Sequence, residues 1–242
     1  MQERTSRFSL SRDTVKMIAI CFMLLDHIAW YFLPFGTPTA QIFHTLGRAT
    51  APVMCYFLAQ GAKHTSNMGR YLLRLLLFAV LSQLPWWYLH RDKAFSLNML
   101  FTLFLCLLML CVDKSVRSPV LRVFGVLLCA AATHYCDWGI YAPLWCLIFY
   151  HFENSRRTQT LLFSAVALAY FTETLISYDA VGYPPRIAMK MSAIAFGVLL
   201  ALPLIFFSKP GEKRSRFLKW FFYAFYPLHL GVIALIRFLM QR

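Results

Sequence analysis

Long apolar runs recur from one end of the chain to the other, separated by short polar or basic stretches. Nine such runs can be drawn, at residues 15–33, 42–62, 71–88, 97–112, 120–133, 139–151, 159–176, 188–207 and 217–239. A helix needs about 20 residues to cross a bilayer. The fourth, fifth and sixth runs are shorter than that, so the count expected is about nine, within a range of eight to ten. The fold predicted is all-α, a polytopic transmembrane helix bundle. Residues 1–13 form a basic amino-terminal segment, and residues 14–242 form a single membrane domain. The first run holds Asp26 and His27 and is not followed by a small-residue cleavage site, so it reads as a true span and not as a signal peptide.

Composition agrees with the pattern. Sixty per cent of the 242 residues are hydrophobic and only 14% are charged, against about 25% charged in a soluble domain. The excess of 24 Lys and Arg over 10 Asp and Glu would raise nucleic acid as a partner in a soluble protein. The placement of the charges points instead to the lipid bilayer, because Lys and Arg gather in cytoplasmic connections. Nine spans put Arg4, Arg7, Arg12, Lys16, Lys63, Arg70, Arg74, Lys114, Arg117, Arg122, Arg156, Arg157, Lys209, Lys213, Arg214, Arg216 and Lys219 on one face. The opposite face keeps Arg91, Lys93, Arg186, Lys190, Arg237 and Arg242, and Arg48 lies within a span. The amino terminus is therefore expected in the cytoplasm. The seven cysteines include no C-x-x-C, and six of them lie in apolar runs, which argues against disulfides and against a metal site.

Ionisable residues inside spans are costly to insert and mark function by default. At 1.5 Å per residue, Asp26 and His27 lie about 16 to 18 Å along the first span. Arg48, descending from the other side, reaches the same depth. The same arithmetic puts Ser82 and Gln83, Asn98 and Thr102, Glu173, and His229 in that outer layer. Lys16 and His27 are eleven residues apart, which places them about 20° apart around a helix and about 16 Å apart along it. One stripe thus carries a basic residue at the cytoplasmic end and an imidazole deep in the span. That arrangement suits a ligand with an anionic head and a reactive far end, the shape of coenzyme A.

Six segments carry a family resemblance: Lys16 to His27 (KMIAICFMLLDH), Gly47 to Pro52 (GRATAP), Ser82 to Pro85 (SQLP), Asn98 to Thr102 (NMLFT), Asp137 to Tyr141 (DWGIY) and Phe222 to Leu230 (FYAFYPLHL). In that order, over nearly the whole chain, the sequence resembles the TraX family, named for the enzyme that acetylates the amino terminus of F-type pilin. The Lys-x10-His stripe is also similar to the basic-x10-His pattern of acyltransferase-3 membrane enzymes, whose His is held to be catalytic. The resemblance implies a protein of the bacterial cytoplasmic membrane that takes an acetyl group from acetyl-CoA on the cytoplasmic side. The acceptor it implies is an amine or hydroxyl, such as a pilin amino terminus or an envelope glycan.

Within that reading His27 is the base, or is itself acylated, against the alternative of a core histidine bonded to a backbone carbonyl. Asp26 is expected to pair with Arg48, for function or as a structural intramembrane ion pair. Arg48 and Asn98 are candidates to stabilise the oxyanion, and Asn98 is equally a helix cap. His229 follows Pro227, a residue that loosens a helix where it lines a cavity. Lys16 and Arg48 are candidates for holding the donor. Ser82, Gln83, Thr102, Asp137 and Glu173 surround the site, with Asp137 also readable as an interface marker beside Trp138. A transporter that uses the same His, Asp and Arg layer is the rival function, although no internal repeat accompanies it.

Overall fold

The computed structural model describes residues 9–91, 95–209 and 215–241. Arg4, Arg7, Lys93, Lys213, Arg214 and Arg242 of the charge pattern lie outside the described residues. Helices carry the fold: α1 (Arg12–Phe32), α2 (Pro38–Gly47), α3 (Thr50–His64), α4 (Met68–Leu89), α5 (Met99–Ser115), α6 (Pro119–Ala132), α7 (Tyr141–His151), α8 (Arg156–Ala180), α9 (Pro185–Ser192), α10 (Ala201–Phe206) and α11 (Arg216–Met240). Short 3-10 segments follow α6 and join α9 to α10. Extended pairing among the described residues is confined to two isolated bridges, Leu10 with Ser208 and Leu97 with Cys136.

Five helical stretches are long and apolar enough to cross a bilayer: Arg12–Phe32, Met68–Leu89, Arg156–Ala180, Pro185–Phe206 and Phe217–Met240. These are fewer than the nine spans expected, the other runs forming helices that are shorter or broken. The run 42–62 is mostly apolar, yet its helix stops at Gly47, where Arg48 caps it, and restarts at Thr50. Two pieces of 10 and 15 residues result. α5, α6 and α7 have 17, 14 and 11 residues, as their short runs allow. Pro143 near the start of α7 fits this, since a proline is tolerated in a helix's first turn, where its missing N–H would have no partner.

The described residues group into two compact units, Met1–Val53 with Phe171–Lys219, and Met54–Tyr170 with Trp220–Arg242. In the first, α2 packs along α1 and against the 3-10 segment Ala193–Leu200. Two glycines set those approaches. A Cβ on Gly47 would overlap the Asp26 side chain, and one on Gly197 would overlap the Thr45 backbone. Thr50 Oγ1 donates to the Ala19 carbonyl at 2.8 Å and ties the start of α3 to α1. Leu10 N–H donates to Phe207 O at 2.8 Å, and Lys209 N–H returns the bond to Leu10 O at 2.9 Å. The segment before α1 is thereby joined to the segment after α10.

In the second unit α5 packs on α4, α6 and α7, with Leu107, Met109 and Leu110 fully enclosed. The segment after α6 docks on the start of α5, because Leu97 N–H donates to Tyr135 O and Asp137 N–H donates to Leu97 O. Trp138 then turns the chain with φ 68°, followed by Gly139 at 42°. A positive φ is uncommon for a bulky residue; here Trp138 packs 5.4 Å from Trp145 and 5.8 Å from Tyr170.

Candidate functional site

The polar centre of the first unit is built on α1 and α2. Ser11 caps α1 through the Thr14 N–H at 3.0 Å. Thr37 caps α2 through Ala40 N–H, with Pro38 opening the helix. Both are N-cap residue types whose side-chain oxygen takes an otherwise unsatisfied donor. Along α2, His44 and Arg48 are one turn apart and so share a face. That face meets Asp26.

His44 Nδ1 lies 2.6 Å from Asp26 Oδ1, whereas the Arg48 guanidinium stands 3.9 Å from the same oxygen. The expected Asp26–Arg48 ion pair is present at 3.9 Å, and His44, which was not expected there, makes the closer contact with the same oxygen. The physical reason is helix geometry. Gly47 lets the α2 backbone press on α1 at the level of Asp26, so the inward residue one turn before the helix end wins the close contact. His44 is 2% exposed. Trp30 lies over its ring at 4.7 Å between centroids, and Phe35 stands at 6.3 Å. The sequence reading missed His44. The signal available was its four-residue spacing from Arg48, which puts both on the face of the second run that meets Asp26.

His27 follows Asp26 on α1 and so points about 100° away from it; its ring stacks near Tyr31 at 6.3 Å. α1 is continuous from Arg12 to Phe32, so Lys16 and His27 do share one helical stripe. Both are partly buried. Glu173 belongs to the same unit but is exposed on α8.

The remaining candidates lie in the second unit, around α4, α5 and α11. Asn98 is fully buried. Its side-chain amide donates to Ala79 O at 2.8 Å and to Gln83 Oε1 at 2.7 Å, and its Oδ1 accepts from Leu100 N–H at 3.0 Å. Both amide protons are therefore taken, which is the geometry of a cap that also ties α5 to α4. Gln83 in turn donates to Ser96 O at 2.9 Å. Ser82 donates back to Phe78 O within α4. Thr102 donates to Asp137 O at 2.6 Å and anchors the loop that carries Trp138.

His229, 6% exposed, has Nδ1 at 2.9 Å from Phe225 O. A carbonyl only accepts, so Nδ1 carries the proton and Nε2 is left as the acceptor. The His229 ring stacks on Phe225 at 5.0 Å and meets Tyr226 edge-on at 5.3 Å. Tyr226 Oη accepts from Met99 N–H at 3.3 Å, linking α11 to the start of α5. The structure thus gathers Asp26, His44 and Arg48 in one unit and Gln83, Asn98, Tyr226 and His229 in the other. Among the described residues, no group of three or more His, Cys, Asp or Glu side chains is placed to hold a metal ion.

Comparison with known proteins adds the family. The chain is 33% identical over 239 residues, 94% of its own length and 96% of the relative's, to a protein of Dichelobacter nodosus named "Probable fimbrial assembly protein FimC, serogroup H1". No solved structure matches it. The family model described as TraX protein matches residues 11–237, a stretch that includes every candidate named above, and the chain belongs to the TraX family.

Proposed function

We propose that this protein is a multi-pass membrane acyltransferase that moves an acetyl group from acetyl-CoA to an amine or hydroxyl acceptor. A pilin-like amino terminus is the first acceptor to consider and an envelope glycan the second. In this reading the chain crosses the cytoplasmic membrane nine times with its amino terminus inside. Acetyl-CoA binds from the cytoplasm, with Lys16 near its phosphates and Arg48 near its thioester carbonyl. An imidazole deep in the bundle takes the acceptor's proton; the sequence offers His27 and His229 for this, and the helix packing adds His44 beside Asp26. Arg48 then faces the negative charge that develops on the carbonyl oxygen, where a fixed cation is most effective in a water-poor site.

The observation that carries the reading is the Asp26–His44–Arg48 cluster, held between α1 and the end of α2, in a chain of the TraX family. Three ionisable side chains in one membrane-embedded corner are costly unless they serve a function. The fimbrial-assembly name of the Dichelobacter relative supports a pilin-like acceptor over a glycan.

The test is purified protein with acetyl-labelled coenzyme A thioester and a synthetic pilin amino-terminal peptide, comparing wild type with His27→Ala. Label in the peptide with wild type, and clearly less of it after the substitution, matches acyl transfer at a site that includes His27. No label bound or transferred by wild type rejects the acyltransferase.

A further inference from the structure

The Asp26–His44 pair has the form of a base held ready by its orienting carboxylate. Asp26 Oδ1 accepts from His44 Nδ1–H at 2.6 Å, which fixes the tautomer with the lone pair on Nε2. A carboxylate in this position also stabilises the imidazolium that forms when Nε2 takes a proton. Asp26 cannot do the same for His27, because adjacent residues on a helix point about 100° apart. Several contacts hold the pair in place. Gly47 and Gly197 allow close backbone approaches on either side of α2. Gln41 Nε2 bonds Gly36 O and Met191 Sδ at 3.4 Å each.

We propose that His44, oriented by Asp26, is the base that takes the acceptor's proton, and that His27 lines the site beside it. The inference rests on the acyltransferase reading. The acceptor amine or hydroxyl attacks the thioester carbonyl and a new C–N or C–O bond forms. His44 Nε2 receives the acceptor's proton, the C–S bond breaks, and the imidazolium returns that proton to the departing coenzyme A thiolate. Arg48, at 3.9 Å from the same Asp26 oxygen, places a guanidinium beside the pair. Trp30 and Phe35 cover the His44 ring and are themselves 50% and 46% exposed. These exposed aromatic rings beside His44 favour an acceptor carried on an apolar end over one on a polar sugar surface.

His44→Asn separates a catalytic imidazole from a structural tie. The Asn side-chain amide can replace Nδ1–H as the donor to Asp26, but it offers no base. We expect His44→Asn to melt with wild type and to bind acetyl-CoA as wild type does, with transfer to the pilin peptide down about 100-fold or more. Asp26→Asn is expected to lower transfer similarly and, in nitrogen-15 spectra, to move the pyridine-type signal of His44 from Nε2 to Nδ1, since an amide can donate to that nitrogen. If His44→Asn does not fold, Asp26→Asn decides. Wild-type transfer in the folded variant, or in Asp26→Asn with an unchanged tautomer, overturns the inference and leaves the acyltransferase standing. An inert wild type overturns both.

Discussion

At the scale of single residues, the polar corner depends on what is missing as much as on what is present. Gly197 faces the Thr45 backbone so closely that a Cβ would overlap its carbonyl, and backbone cannot rotate aside as a flexible side chain can. Gly197→Ala is therefore expected to destabilise the fold by about 1–3 kcal/mol, the usual range for overpacking. It is also expected to displace α2, and with it His44, from α1. Gly231, inside α11, has nothing within 4 Å of its would-be Cβ, so Gly231→Ala is expected to be neutral or stabilising by up to about 1 kcal/mol. Thermal unfolding in detergent measures both, and equal shifts would contradict the packing argument. Much of this corner was legible in the chain, including the Asp26–Arg48 pair, but not the histidine that joins it. Asp26 and Arg48 announce themselves as charges in apolar runs. Which imidazole meets the carboxylate depends on a backbone approach that only the folded helices reveal. Asn98 shows the opposite case: its cap role follows from its place before an apolar run, and its bonds to Ala79 and Gln83 need the neighbouring helix.

At the scale of helices, apolar run length located nearly every element, because a run that excludes water has to satisfy its own backbone. It could not locate breaks inside a run. The stretch 42–62 reads as one run despite His44, Arg48 and Gln60, and 188–207 reads as one run through a change from α to 3-10 geometry. Helix ends add a second level of organisation. In the second unit Glu153, in the connection from α7 to α8, accepts from Lys63 Nζ and from Gln60 Nε2, both near the end of α3. The Lys63 hydrogen bond, with help from Gln60 and the Lys63 charge, holds the Glu153 carboxyl below its ordinary value. A lowered folded value means that the ionised form is favoured by folding. Its stabilisation is complete above the unfolded carboxyl value and is lost as pH falls through the folded one. Glu153→Gln is accordingly expected to narrow the gap in melting temperature between pH 7 and pH 3, mostly by lowering the value at pH 7. The effect is small because the side chain is about a third exposed and screened by water. A variant whose melting temperature keeps the full wild-type dependence on pH in this range would contradict this role.

At the scale of the whole chain, five long helices and nine apolar runs give two topologies that agree on where both termini lie, since both counts are odd. The basic-residue pattern separates them poorly, because either count leaves most Lys and Arg on the amino-terminal side. Contacts inside the second unit support the nine crossings proposed above. If only the five long helices crossed, the connection after α3 would lie outside, and the chain from His90 to Ser155 would lie inside. Lys63 could then not reach Glu153, yet the two are paired. Nor could Arg91 reach Gln241 beyond α11, yet its guanidinium donates to the Gln241 side-chain oxygen at 3.1 Å. Nine crossings put the ends of α3, α5 and α7 on one side, where Asp113 also meets His151 at 3.0 Å, and put Arg91 and Gln241 together on the other. The check is single-site labelling of the full chain by a membrane-impermeant maleimide, in a Cys21→Ser background that removes the exposed native thiol. With nine crossings and the amino terminus inside, Phe95→Cys and Tyr183→Cys label from outside, and Ser66→Cys labels only after permeabilisation. Five crossings reverse Ser66→Cys and Phe95→Cys while leaving Tyr183→Cys outside. Nine crossings in the opposite orientation reverse all three sites. The three positions together therefore fix both the number of passes and the orientation of the chain.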